Sequence, residues 1–209
     1  RLYAPYHDPH TVSPLWNQVL SDPGFFRVQE DVFPIVGDVA GRRQLRSVSG
    51  VAIRMADYQE FLDGAFEDVR WKLLGVKYLV SWRGNLLTWQ ERLAPGEKLL
   101  EEGEGAAAKA LHRLAEPVRP AWIVHDVTTA ADKGELYRQL NAPDFDPFGA
   151  AVTWEAVAVQ PGDPAGDSAA ITAFEPNRVA LQARASAPGL LVLGEVMYPG
   201  WTVQVNGQP

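Results

Sequence analysis

The sequence contains no cysteine. Disulfide bridges, zinc–thiolate centres and cysteine nucleophiles are therefore excluded for this chain. This absence does not identify a cellular compartment, because many exported bacterial proteins also lack cysteine. The sequence also has no G-x-S-x-G, phosphate-loop, dinucleotide or H-E-x-x-H motif. We therefore expect no cofactor and no metal site.

Long apolar runs and basic residues are also scarce. The longest apolar stretch, residues 190–197, contains Gly194 and Glu195 and is far shorter than the roughly 18 residues that a spanning helix needs. The 19 Lys and Arg residues are outnumbered by 26 Asp and Glu residues, which gives a net charge of −7. Because phosphate binding needs a clustered basic face, this balance argues against nucleic acid and against simple adsorption to anionic lipid.

The patterning predicts an α+β fold, with a mixed α/β part over residues 1–116. Pro14 is a good first helical residue, and the apolar residues that follow recur at helical spacing. A further helix is predicted over residues 68–74, ended by Gly75 and followed by a strand over residues 76–80. Residues 31–50 are interpreted as loop, and residues 94–110 as a solvated loop leading into a short Ala-rich helix.

Residues 117–209 are predicted to form a second, mostly antiparallel part that resembles a β-sandwich. Turn signals recur about every 8 to 12 residues, and Asp132 with Glu135 caps one brief helix. The predicted strands cover residues 122–124, 151–159, 171–174, 178–185 and 190–197.

The C-terminal residues predict one more strand. Trp201, Val203 and Val205 alternate with polar residues, the period of a half-buried strand, and Asn206-Gly207 is a two-residue hairpin signal. The chain stops two residues later and begins at Arg1, so we expect a piece of a longer protein, truncated at this hairpin.

His125-Asp126 follows a short apolar strand and is one candidate for chemistry, since a histidine and an acid at a strand end suit a hydrolytic site. Adjacent residues of an extended chain point to opposite faces, so these two are not expected to bond to each other. A surface or packing role for His125 is the default interpretation.

The paired carboxylates are further candidates. Asp144 and Asp146 lack the other ligands of a calcium loop, and an Asx-turn before Phe148 is the simpler interpretation. Asp163 and Asp167 lie in a Pro/Gly-rich loop, where the sequence shows nothing to hold them at a catalytic separation.

Trp82 and Trp89 flank the polar turn at residues 83–85, so these two tryptophans are candidates for an exposed sugar-stacking platform. A flat apolar face with a polar edge suits a pyranose ring. Core packing is the alternative, because both lie in an apolar context.

An ordered set of short motifs carries a family resemblance over most of the chain. The motifs are residues 25–28, 47–50, 58–62, 73–80, 121–126, 175–179, 188–193 and the Tyr-Pro-Gly-Trp segment at 198–201. Together they resemble the extracytoplasmic C-terminal region of the YfhO-type bacterial multi-pass membrane proteins.

The resemblance implies a parent protein of glycosyltransferase-like architecture with many transmembrane helices, working on cell-envelope polymers from lipid-linked donors. The acidic catalytic residue of that architecture has no counterpart here, so it implies no catalytic residue. It implies an accessory domain on the extracytoplasmic face of the bacterial membrane, with the transmembrane part of the same polypeptide and a glycan or lipid-linked sugar as partners.

Two other functions stay open at this point. One is a stand-alone carbohydrate-binding β-sandwich module, and the other is an independent hydrolase using Asp126, Asp144 or Asp146. Predicted spanning segments encoded upstream favour the accessory domain, whereas turnover of glycosides by this chain alone favours the hydrolase. The candidate ligand-binding residues are Trp82, Trp89, His125 and Asp126.

Overall fold

The computed structural model describes residues 14–30, 45–47, 56–85, 96–115, 118–175, 177–197 and 199–208. The helices are α1 (Pro14–Leu20), α2 (Ala56–Gly64), α3 (Glu67–Leu74) and α4 (Lys133–Leu140). The strands are β1 (Phe26–Glu30), β2 (Leu45–Ser47), β3 (Val76–Trp82), β4 (Glu97–Glu102), β5 (Lys109–Arg113), β6 (Ala121–Val124), β7 (Asp126–Thr129), β8 (Ala150–Thr153), β9 (Ser168–Glu175), β10 (Arg178–Arg184) and β11 (Leu190–Leu193). The predicted α+β fold class is confirmed.

A five-stranded mixed sheet organises the first part, with the order β2-β1-β3-β5-β4. The first three of these strands run parallel, and β5 and β4 run antiparallel to their neighbours. One face of the sheet packs on α1 through Leu15, Trp16 and Val19, and another cluster joins Leu62 and Trp71 of α2 and α3 to the sheet. The three parallel strands, with helices packed on the sheet, are typical of α/β construction.

The prediction of loop and Ala-rich helix over residues 94–110 is wrong. The chain forms β4 there, turns through a short 3-10 segment at Gly105–Ala107 and returns as β5. Strand β4 lies at the sheet edge, so its side chains meet solvent and carry charges instead of an apolar alternation. Within the predicted loop at residues 31–50, Leu45–Ser47 is also a strand, and the rest of that range lies outside the described residues.

The described residues after 120 form three strand pairs. Two are antiparallel, β9 with β10 and β6 with β11, and the third, β7 with β8, is parallel. The parallel pair is joined by α4, because parallel neighbours need a crossover connection. The strand predicted over residues 151–159 is shorter than expected, because β8 ends at Thr153.

Asp132 caps α4 as predicted. Its Oδ1 accepts a hydrogen bond from the Glu135 N–H at 2.8 Å, and Glu135 Oε2 reaches back to the Ala131 N–H at 2.8 Å. The two bonds satisfy donors that the helix itself leaves unpaired.

Asp132→Ala is expected to lower the free energy of unfolding by about 1 kcal/mol, because the Glu135 N–H loses its acceptor. Urea unfolding measures the change. Asp57→Ala is the matched control, since that side chain is 91% exposed in the first turn of α2. An equal loss in both variants would contradict the capping role.

The C-terminal segment differs from its prediction in part. The Asn206-Gly207 turn forms, with φ of 53° and 78°, and a bridge joins Val205 to Gln208. No longer strand ladder exists within residues 199–208, and Val203 and Val205 are 66% and 67% exposed. The prediction of a half-buried final strand is therefore wrong for the described residues, because no neighbouring strand covers these valines.

Several contacts cross the predicted boundary near residue 117. Asn141 Nδ2 donates to Gly64 O and Asn141 Oδ1 accepts from Phe66 N, both at 2.8 Å, while Lys133 pairs with Glu60 at 2.6 Å. Residues 116 and 117 are outside the described ranges, and the division into 1–116 and 117–209 stays a prediction.

Candidate functional site

Trp82 is the last residue of β3 and is 37% exposed. It pairs in register with Lys109 of β5, whose Nζ lies 6.0 Å from the centroid of the indole ring. The next residue, Arg83, continues the pairing by donating its N–H to Ala108 O at 2.7 Å. The backbone around the indole is thus fixed by the sheet, which suits a binding platform. Trp89 lies outside the described residues.

Charged side chains form an ion-pair network near the end of β3. Arg83 Nη1 lies 3.3 Å from Glu101 Oε1, and Lys98 Nζ lies 2.9 Å from Glu101 Oε2. The hydrogen bond from Lys98, helped by the charge of Arg83, lowers the pKa of Glu101. Glu101 is thus held ionised between two cations.

Trp82 ends one of two neighbouring parallel strands whose connections run in opposite directions. The connection that leaves β1 leads to β2 on one side of it, whereas the connection that leaves β3 leads to β4 and β5 on the other side. Neighbouring parallel strands whose connections diverge leave a crevice at their carboxyl ends, where sheets of this kind bind ligands. Trp82 lies at that end of β3, two residues beyond Val80, which pairs with Glu30 at the end of β1.

His125 lies between β6 and β7, and its partner is Asp167. The distance from Nε2 to Asp167 Oδ2 is 2.8 Å, and Nδ1 lies 2.9 Å from Gln160 O. Asp126 is exposed on β7, as expected for a neighbour on the opposite face. The hydrogen bond to Asp167 raises the pKa of His125.

Asp167 is held by contacts that the sequence did not indicate. Its Oδ1 accepts a hydrogen bond from Ser186 N at 2.7 Å, and this bond lowers the pKa of Asp167. Sequence reasoning missed the contact because Asp167 and His125 are 42 residues apart, and no local pattern connects them. Asp167 stands between Ser186 and His125, so the three do not follow the Ser–His–Asp order of a nucleophilic triad.

Asp22 forms a second cluster that the sequence did not indicate. Its Oδ2 accepts hydrogen bonds from Lys77 and, at 2.7 Å, from Tyr78, while Oδ1 accepts from Gly24 N at 2.9 Å. Burial and the bond to Asp22 raise the pKa of Tyr78 to about 12. A phenol with such a high pKa is a poor acid–base catalyst near neutral pH. We assign this cluster to the joint between α1 and β1.

Asp146 is a further acidic candidate. Asp146 Oδ1 accepts from Phe148 N at 3.2 Å, which confirms the predicted Asx-turn. Across the described ranges, no group of three His, Asp or Glu side chains is placed to hold a metal ion. Among those same residues, no helix combines the length and the apolar character that crossing a bilayer requires.

The geometry thus gives two candidates. One is the partly exposed Trp82 at the carboxyl end of a central strand, and the other is the buried His125–Asp167 contact, which lies outside that sheet. Comparisons with protein-family models, curated proteins and solved structures found no match for this chain.

Proposed function

We propose that this chain is a non-catalytic accessory domain of a membrane-embedded glycosyltransferase-like protein. It contacts a neutral sugar of a cell-envelope glycan or polymer acceptor through Trp82, on the extracytoplasmic face of a bacterial membrane. The half-exposed indole at the carboxyl end of β3 carries the proposal. The motif resemblance supplies the setting, with the transmembrane part of the same polypeptide as partner.

The chemistry at Trp82 supports a sugar ligand. A pyranose ring presents an apolar face of C–H groups that fits an indole, and hydroxyls at its rim that need donors and acceptors. Lys109 offers a donor beside the ring.

Trp82→Ala is expected to weaken glycan binding by about tenfold or more, because a Trp that the ligand covers commonly dominates the binding energy of its site. Titration against neutral cell-wall oligosaccharides measures the affinity of both proteins. Trp154→Ala is the matched control, since Trp154 is 52% exposed but lies after β8, in another sheet. We expect this control to bind as the wild type does.

Failure of the wild-type chain to bind any neutral glycan would remove the sugar contact, and equal losses in both variants would remove Trp82 from it. A stand-alone carbohydrate-binding module predicts the same binding. The intact reading frame separates the two, because only the accessory domain requires spanning segments on the same polypeptide.

A further inference from the structure

Three stretches that are distant in sequence meet at the imidazole of His125. The first is the end of β6, which carries the ring, and the second is the connection from β8 to β9, which supplies Gln160 O at 2.9 Å and Asp167 Oδ2 at 2.8 Å. The third is the turn between β10 and β11, where Pro188 O lies 3.4 Å from Nδ1. The His125 and Asp167 side chains are only 8% and 7% exposed, so water competes little for these bonds.

The two connections are also bonded to each other around the ring. Gln160 N donates to Pro188 O at 2.8 Å, Ser186 N donates to Asp167 Oδ1 at 2.7 Å, and Asp163 N donates to Ser186 Oγ at 2.9 Å. The loops therefore form one network that closes on His125.

The partners of the ring determine its protonation. A backbone carbonyl and an ionised carboxylate can only accept hydrogen bonds, and they face Nδ1 and Nε2 respectively. Both contacts are hydrogen bonds only when both nitrogens carry a proton, which is the imidazolium form. A neutral ring would place a lone pair against one of these oxygens.

Two glycines pack closely against the His125 ring. A Cβ on Gly189 would lie 2.9 Å from Cε1 of His125, and a Cβ on Gly162 would lie 2.7 Å from Cδ2 and closer to Nε2. Neither position can carry a side chain without moving the ring, so the packing leaves the imidazole little freedom to escape an unfavourable contact.

We propose that His125 is a proton-dependent clasp, which when charged holds the β8–β9 connection and the β10–β11 turn on the end of β6 and when neutral releases them. This inference is independent of the sugar contact at Trp82, which belongs to another sheet.

The charge that acts on His125 favours its protonated form. Asp167 is the charged group whose field reaches the ring, and its hydrogen bond raises the pKa of His125. Of the other charged groups on the packed elements, Asp163 Oδ1 accepts from Ala165 N, while Asp126 on β7 and Arg184 at the end of β10 are exposed.

The pH window follows from these directions. A raised pKa means that the contribution of His125 is fully present below its unfolded value of about 6.5 and is lost as the pH rises through the folded value. A lowered pKa means that the contribution of Asp167 is present above about 3.9 and is lost as the pH falls through its folded value. The clasp is therefore complete from about pH 4 to about pH 6.5.

The test is a histidine NMR titration combined with amide hydrogen exchange on the intact chain. We expect His125 to titrate above about 6.5, and Asp167→Asn to move that titration down, because the amide keeps an acceptor but loses the charge. His112 is the internal control, since burial lowers its pKa and it lies in the other sheet. It should be unaffected by Asp167→Asn.

Exchange tests the release itself. After correction for the intrinsic pH dependence of exchange, residues 158–167 and 185–189 should lose protection as the pH rises past the His125 titration, while the β3–β5 ladder does not. In His125→Gln this pH dependence should vanish. A His125 titration at or below about 6.5 in the wild type, or loop protection that does not change through it, would overturn the clasp even if the variants do not fold.

Discussion

Arg27→Met is expected to lower the free energy of unfolding by about 3–5 kcal/mol. The guanidinium of Arg27 is 6% exposed and donates to Leu74 O and Gly194 O at 2.5 Å each and to Glu195 Oε1 at 2.9 Å. Methionine fills similar space but donates nothing, so it leaves a carboxylate that is 14% exposed and two carbonyls without this donor. Breaking one side of a buried ion pair is far more damaging than removing the pair.

The effect is measured by urea unfolding of the wild type, Arg27→Met, Glu195→Gln and the double variant. The coupling between the two positions should be large, since the variants remove the same contact. Arg113→Met is the matched control, because Arg113 lies 2.5 Å from Glu97 with both side chains about half exposed or more. That exposed pair should contribute less than about 1 kcal/mol. Losses of similar size at Arg27 and Arg113 would contradict the assignment.

The Arg27 contact also bears on how the chain is organised. It ties β1 and the end of α3 to the residues that follow β11, so it spans the predicted boundary near residue 117. Nothing in the local sequence around Arg27 indicates this. A buried arginine that binds two carbonyls and a distant acid is a product of tertiary structure alone.

The parts of the fold that the sequence predicted well depend on short-range signals. Pro14 begins α1, and Asp132 caps α4 through a bond three residues away. Gly75 ends α3 in the left-handed region, with φ of 65°, and β3 starts at the next residue. Each signal acts over a few residues, so the local sequence contains all the groups involved.

The incorrect predictions concern strand pairing between residues that are distant in sequence. The β4–β5 hairpin was missed because an edge strand rich in Glu and Lys has the composition of a loop. The parallel pairing of β7 with β8 was missed because it depends on where α4 returns the chain. At Val203 and Val205 the alternation was correct for a strand, but alternation does not supply a neighbour that buries it.

The candidate site was likewise predicted from the sequence only in part. Trp82 could be selected from the sequence, because a polar turn beside it indicated exposure, and it is exposed. Its position at diverging connections required the strand order. His125 was selected with Asp126 as its neighbour, whereas its acidic partner is Asp167. A sequence shows which residues can do chemistry, but the partner that sets a pKa is decided by the fold.

Gly96→Ala is expected to lower the free energy of unfolding by about 2–5 kcal/mol, the sum of a left-handed backbone and overpacking. Gly96 precedes β4 with φ of 84°, a conformation that alanine adopts with strain. Its Cβ would also meet backbone, lying 2.6 Å from Ala115 N and closer still to Arg113 O. Backbone cannot swing aside as a side chain does, so the β4–β5 pairing must shift.

Gly105→Ala separates these two causes and is measured beside it by urea unfolding. Gly105 also has positive φ, at 67°, but its Cβ would meet nothing within 4 Å. Only the backbone strain remains there, so a loss of about 1–2 kcal/mol is expected. The difference between the two variants is the contribution of the close approach between Gly96 and the end of β5. If both variants lose the same stability, residues 96 and 113–115 are not in contact, and the edge pairing that corrects the sequence-based loop is itself wrong.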